Sequence, residues 1–240
     1  MKKLNVKNRK GQKGFTLVEL AVVMIIVGLL IGGILKGQEL IANAQIASTV
    51  TQAKGIDAAV STFRDSFRAF PGDMTAPTTR LSNCTGPCAG VAGAGDGRLN
   101  TVPTAAAAGD VLQFFGQLSA ADLVTGVDGS ATAEWGEALP SASVGGGYTA
   151  GYHGTGTLGI NTSPTSGHYL SLRGDPGAMG TAGAALLNGS QAARIDRKMD
   201  DGNPATGSVF GSIAACSSAA NTYDEASGQA NCDVFIRIQG

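Results

Sequence analysis

The apolar and polar positions divide this 240-residue chain into parts of different character. From Phe15 to Leu35 there are 21 residues, and Glu19 is the only ionisable one among them. At 1.5 Å per residue a helix of that length spans roughly 31 Å, about the hydrocarbon thickness of a bilayer. A core helix of a soluble protein would show a polar face; this run shows none, so the pattern predicts a membrane span. Further on the apolar residues become periodic. Ile56, Val60, Phe63 and Phe67 recur at spacings of 4, 3 and 4, which is one face of a helix. No proline stands between Phe15 and Phe70, and Pro71-Gly72-Asp73 supplies a stop. One helix is therefore expected from about residue 15 to 69, its first half bare and its second half amphipathic.

The remaining pattern is shorter-ranged. DVLQFFGQLSAADLVTG (110–126) reads as a helix with Val111, Phe114, Phe115, Leu118 and Leu123 inward and Gly126 at its end. SQAARIDRKMDDG (190–202) reads as another, with Ser190 as its cap. GTLGINT (156–162), HYLSLRG (168–174) and CDVFIRI (232–238) alternate as strands do. A long helix followed by short helices and strands predicts an α+β fold, with the helix packed on an antiparallel sheet. Composition adjusts this picture in one respect. The 36 glycines are about twice the usual share, so long glycine-rich loops are expected between few regular elements. The outer residues, 39–240, suffice for one globular domain.

Charge orients the apolar run. Lys2, Lys3, Lys7, Arg9, Lys10 and Lys13 precede it without a single acid, which places that end in the cytoplasm and sends the rest across. A secretory signal peptide would have a shorter apolar core followed by a small-residue cleavage site. Here LKGQELIANAQI follows and continues a helix, so the run is expected to be retained.

Glu19 is then the anomaly. An ionised carboxylate costs about 2.5–3.5 kcal/mol at the bilayer centre on insertion scales and less near an interface. Two readings accommodate it: it caps amides at its own helix N-terminus, where negative charge is favoured, or it meets a cation within the membrane. The run contains no Lys, Arg or His. A cut just before Phe15 would create the missing cation, an α-ammonium group.

The stretch Lys13-Gly14-Phe15-Thr16-Leu17-Val18-Glu19-Leu20 resembles the N-terminal signature of type IV prepilins and of type II secretion pseudopilins. The resemblance covers the basic leader and the apolar segment, about 35 to 40 residues. It implies that a membrane-embedded prepilin peptidase removes residues 1–14 by cutting between Gly14 and Phe15, and that Phe15 is then N-methylated. Gly14 suits such a site because it lets a protease approach the backbone closely. The resemblance further implies that residues 15–38 form the transmembrane and assembly helix and that Glu19 pairs with a neighbour's terminal amine. The expected product is a pilin-like structural subunit of a type IV pilus or type II secretion pseudopilus, not an enzyme. Its partners would be the peptidase, like subunits, an inner-membrane assembly platform and lipid. Its place would be the bacterial inner membrane, single-pass with a cytoplasmic N-terminus, and then a filament in the periplasm or at the cell surface. One departure from the family is notable. Many members carry a proline partway along the apolar segment, where this chain has Gly28, Gly32, Gly33 and Gly37.

Cys84, Cys88, Cys216 and Cys232 all lie in the exported part, where disulfides are the expected state. Three connectivities are possible; the local one, 84–88 with 216–232, needs the least loop closure, and the second bridge would staple the last strand as in many pilins. No metal or cofactor is expected. Asp200 and Asp201 offer clustered oxygens with Asn203, and some pseudopilins bind calcium, but a helix-end turn accounts for the same residues. GTGTLG (154–159) satisfies a dinucleotide-type glycine spacing without a strand–turn–helix around it, and His153 and His168 are expected to be loop or sheet residues. Without the leader's six cations the balance becomes 11 basic against 18 acidic residues, so nucleic acid is not an indicated partner. A membrane-anchored periplasmic enzyme or binding protein that borrows this signal is the alternative, and it would need a catalytic constellation that the sequence does not display.

Overall fold

A computed structural model of the chain describes residues 14–90, 95–177, 179, 185–212, 216–219 and 221–238. The described residues fall into two compact units, one up to Asn43 and one from Ala44 onward. The fold is α+β: a long apolar-to-amphipathic N-terminal helix, an antiparallel sheet and a few short helices.

The first helix, α1 (Leu17–Phe67), is uninterrupted through Gly28, Gly32, Gly33 and Gly37. In the first unit every residue from Gly14 to Lys36 is exposed, and this helix is long and apolar enough to cross a membrane. In the second unit its Ile46, Val50, Ala53, Ile56, Val60 and Phe63 are buried, the stripe expected from the periodicity. Phe67 is half-buried, and the helix stops two residues short of the expected end because Arg68 turns left-handed at φ 51°.

Two brief turns follow, α2 (Pro77–Arg80) and a 3-10 turn at Gly86–Ala89. Next come α3 (Asp110–Ala120), β1 (Gly147–His153), β2 (Gly167–Arg173) and α4 (Gly189–Met199). The chain closes with β3 (Val209–Gly211), β4 (Ser217–Ala219), β5 (Thr222–Tyr223) and β6 (Val234–Arg237). The main sheet is antiparallel throughout in the order β1-β2-β6-β3, and β4 and β5 make a separate pair.

Alternation along the strands divides the sheet into two apolar faces. Tyr148, Leu170, Leu172, Val234 and Ile236 join the buried stripe of α1 and the inner side of α3 and α4 in one core. The Tyr148 hydroxyl donates to the Thr49 carbonyl of α1 at 2.7 Å. Tyr169, Phe210 and Phe235 form a smaller cluster on the other face, closed by Leu158. That second face corrects one expectation. GTLGINT is not a strand; it is a turn, with Leu158 bridged to Asn161, that folds over the sheet and buries Leu158 against those rings. The alternation did not reveal the short β3, β4 and β5, nor the longer β1, GYTAGYH. Its Gly151 admits the Val102–Pro103 backbone, where an added Cβ would stand 2.5 Å from the Pro103 nitrogen. A close backbone crossing needs glycine, which erases the apolar alternation there.

The helices also shift at their ends. In α3, Val111, Phe114, Phe115 and Leu118 are buried as expected, but the helix ends at Ala120, with Asp122 left-handed at φ 57°, rather than at Gly126. In α4 the cap is Asn188, not Ser190. Asn188 and Gln191 exchange side-chain and backbone hydrogen bonds at 2.9 and 3.0 Å, a reciprocal capping box.

Candidate functional site

The segment that carries the chemistry begins at the first described residue. Gly14 and Phe15 precede the helix and are exposed, Phe15 by 88%. Residues 1–13 of the expected leader lie outside the described residues. Thr16 is the helix cap: its carbonyl accepts the Leu20 N–H at 3.3 Å. Its hydroxyl accepts the Glu19 N–H at 3.2 Å and donates to Glu19 Oε2 at 2.8 Å. The Thr16 N–H donates to the same carboxylate oxygen at 2.8 Å. Thr16 and Glu19 thus form a T-x-x-E capping box, which satisfies amides that have no partner within the first turn. The carboxylate of a single chain is engaged with its own helix start. Thr16 was not singled out from the sequence, although its spacing to Glu19 is the capping-box signal.

From Leu20 onward the surface is apolar on all sides until the Lys36–Glu39 ion pair at 2.7 Å. A surface of this kind is stable against lipid or against like helices, not against water. None of Gly28, Gly32, Gly33 and Gly37 has a neighbouring atom within reach of an added Cβ, so this stretch of helix is open to close approach by another helix.

The four cysteines pair locally, Cys84 with Cys88 and Cys216 with Cys232. The first bridge closes a five-residue loop that lies on α3. An added Cβ at Gly116 would come within 3.2 Å of the Cys88 nitrogen, so the loop depends on that glycine. The second joins two fully buried residues and ties the segment before β4 to the start of β6.

Asp200 and Asp201 are joined by a third carboxylate, Asp196, with one oxygen of each within 4.8 Å of the others. Asp196 sits one helical turn before Asp200, a spacing visible in the sequence. It is fully buried, accepting the Tyr223 hydroxyl at 2.8 Å and the Gly202 N–H at 3.1 Å. Burial is the main cause that pushes its carboxyl up to about 7; Asp200 and Asp201 add to the rise, and the two hydrogen bonds oppose it. Asp201 accepts from Asn203 and Thr206, and Asp200 from Ser208 and Val209. These bonds shape the turn after α4.

His153 ends β1, and His168 lies in β2 with its ring stacked on Phe70 at 3.6 Å between centroids. Burial, reinforced by Arg64 and Arg98, lowers His168 to about 4, so the ring is neutral at ordinary pH.

Comparison with known proteins bears on the N-terminal segment. The family described as "Prokaryotic N-terminal methylation motif" matches residues 9–35. A fimbrial protein of Moraxella nonliquefaciens is 43% identical over 61 residues, which make up 25% of this chain and 40% of that protein. The match thus spans well under two thirds of that relative's length. No solved structure matches the chain. Through residues 9–35 the chain carries the prokaryotic N-terminal methylation motif, and over a quarter of its length it is similar to a fimbrial protein.

Proposed function

We propose that this chain is a structural subunit of a type IV pilus or of a type II secretion pseudopilus. In this reading it is inserted once through the bacterial inner membrane with a cytoplasmic N-terminus. A prepilin peptidase cuts it between Gly14 and Phe15, Phe15 is N-methylated, and an inner-membrane platform assembles it with like subunits through residues 15–38. The observation that carries the reading is Glu19 at the tip of α1, in the exposed apolar half of that helix and just after Gly14-Phe15.

The Thr16–Glu19 box gives the assembly step a physical form. Cutting before Phe15 leaves an ammonium one residue from the Thr16 N–H that Glu19 already accepts. In a lone subunit the carboxylate stays on its own cap, worth about 1 kcal/mol. Beside a second helix it can exchange those neutral donors for a neighbour's ammonium. A charged pair is the stronger interaction where water is excluded, and the two groups together carry no net charge into the bundle.

The test uses protein from its own host. Intact mass should show a chain starting at Phe15 with one added methyl group; a chain beginning after the apolar run would refute the processing step. Glu19→Ala and Glu19→Gln should both insert and lose the leader, and both should be poorly recovered in filaments. Gln is the decisive substitution, because S/T-x-x-Q also forms a capping box. If Glu19→Gln enters filaments as wild type does, Glu19 is a cap and the pairing role is wrong.

A further inference from the structure

Nearly half of the cations beyond the leader gather in one place. The last turns of α1, the turn after it, Arg80 of α2, the Gly95–Gly97 loop and the adjoining ends of β2 and β6 enclose an open cleft of about 1020 Å³. Arg64, Arg68, Arg80 and Arg237 line it, and Arg98 lies close enough to act on His168 in its wall. Asp65 and Asp73 also line it, and Asp96 of the Gly95–Gly97 loop acts on His168 as Arg98 does, with opposite sign. Asp73 is buried and committed to the Gly95 and Gly97 N–H groups at 2.9 and 2.5 Å. Arg80 donates to the Phe67 carbonyl at the end of α1. Among the described residues, Arg64, Arg68 and Arg237 form no ion pair, and the buried Arg237 Nε has no hydrogen-bond partner. The cleft therefore holds guanidinium donors in excess, in a chain that is otherwise acidic.

The complementary feature lies elsewhere in the same unit. Between Arg98 and Arg173 the sequence holds no lysine or arginine. The 122–137 segment within it exposes Asp122, Asp128, Glu134 and Glu137. It is a closed loop: the Asp128 N–H donates to the Glu137 carbonyl at 2.9 Å. Its first residues, Leu123–Gly126, and Pro140–Ser141 just after it border α1 at Gln52, Gly55 and Ile56. The arginine cleft borders α1 at Ser61, Arg64, Asp65 and Arg68. At about 100° per residue those two sets lie on opposite flanks of the helix, roughly 180° apart, with the buried stripe between them. Along the axis they are offset by about 15 Å. One flank of the unit is basic and the other acidic.

We propose that the arginine cleft of one copy receives the acidic 122–137 loop of a second copy. The contact rests on the filament-subunit reading and adds to it a site in the outer unit. Because the two surfaces differ and are staggered, the contact is head-to-tail, and repeating it extends an array instead of closing a dimer. Planar guanidinium groups suit carboxylates, and complementary charge sets register and suppresses wrong pairings.

The experiment uses the full chain in its own host, with three variants: Arg64→Glu with Arg68→Glu, Glu134→Arg with Glu137→Arg, and all four together. Protease resistance and leader removal report folding and processing, and sheared filaments report assembly. Each double reversal should lower incorporation about tenfold, and the fourfold variant should recover to within about threefold of wild type. Normal incorporation of the double reversals overturns the proposal. So does a fourfold variant as deficient as the doubles, the result expected if the cleft instead holds a free oxyanion such as phosphate. If a reversal proves protease-sensitive, Gln at the same positions decides, with a loss of about threefold expected and wild-type incorporation again overturning the contact. Failure of the contact alone leaves wild-type filaments intact; a wild-type chain that is processed but never found in filaments sinks the filament reading and the contact with it.

Discussion

Asp196 allows a pH prediction with a definite sign. Its carboxyl is fully buried, held up to about 7 in the folded chain against 3.8 for the ordinary group, chiefly by burial. Between those values the folded state binds the proton that the unfolded state has released. Stability from this group is therefore fully present below about pH 4 and is lost as pH rises through 7. A rise of about 3 pH units corresponds to roughly 4 kcal/mol over the whole window. Two other groups titrate nearby. Asp233, pushed up to about 6 by burial, acts with the same sign, whereas His168, lowered to about 4, adds stability as pH rises toward 6.5. The raw pH profile is thus a partial cancellation, and the difference between wild type and Asp196→Asn isolates one group. Asn keeps the shape and can still bond Tyr223 and Gly202 but cannot ionise. Urea unfolding of the processed chain in detergent can be followed by Trp135, the sole tryptophan, whose indole N–H donates to the Gly174 carbonyl at 3.0 Å. From pH 4 to pH 8 the stability of Asp196→Asn relative to wild type should climb by up to about 4 kcal/mol. Parallel curves for the two proteins would refute the reasoning and mean that Asp196 meets solvent or a cation in the folded state.

Further expectations follow from the outer unit. Replacing Cys216 and Cys232 together by Ser should lower stability by about 2–4 kcal/mol and expose β6 to proteases, read by limited proteolysis; unchanged resistance would show that the bridge staples nothing. Asn188→Ala should cost about 1 kcal/mol in urea unfolding, while Ser190→Ala should stay within about 0.5 kcal/mol, and the reverse order would return the α4 cap to Ser190.

The sequence by itself determined what depends on local pattern. The 21-residue apolar run, the spacing of Ile56, Val60 and Phe63, and the stop signal at Pro71-Gly72 placed α1 to within two residues of its end, because a helix is held by bonds between near neighbours and a one-sided stripe. The inward face of α3 and the α+β class were legible for the same reason. So was the oddity of Glu19, since a lone carboxylate in an apolar run needs no tertiary context to be noticed.

Tertiary structure decided whatever depends on distant segments meeting. GTLGINT alternates like a strand, but its Leu158 is buried against Tyr169, Phe210 and Phe235 on the face of the sheet and not in a ladder. In β1, Gly151 looks like a strand breaker until the Val102–Pro103 backbone is laid across it. Asp196 stands on a helix otherwise rich in charge, and only its burial, against the opposing Tyr223 hydrogen bond, pushes its carboxyl up to about 7. The arginine cleft is the same lesson in charge. Arg64, Arg68, Arg80 and Arg237 are scattered over 174 positions of the chain and form one surface only because β6 returns to the end of α1. A balance of charges counted along a chain says nothing of where folding gathers them, and here it gathers the cations on one flank of α1 and leaves the 122–137 carboxylates on the other.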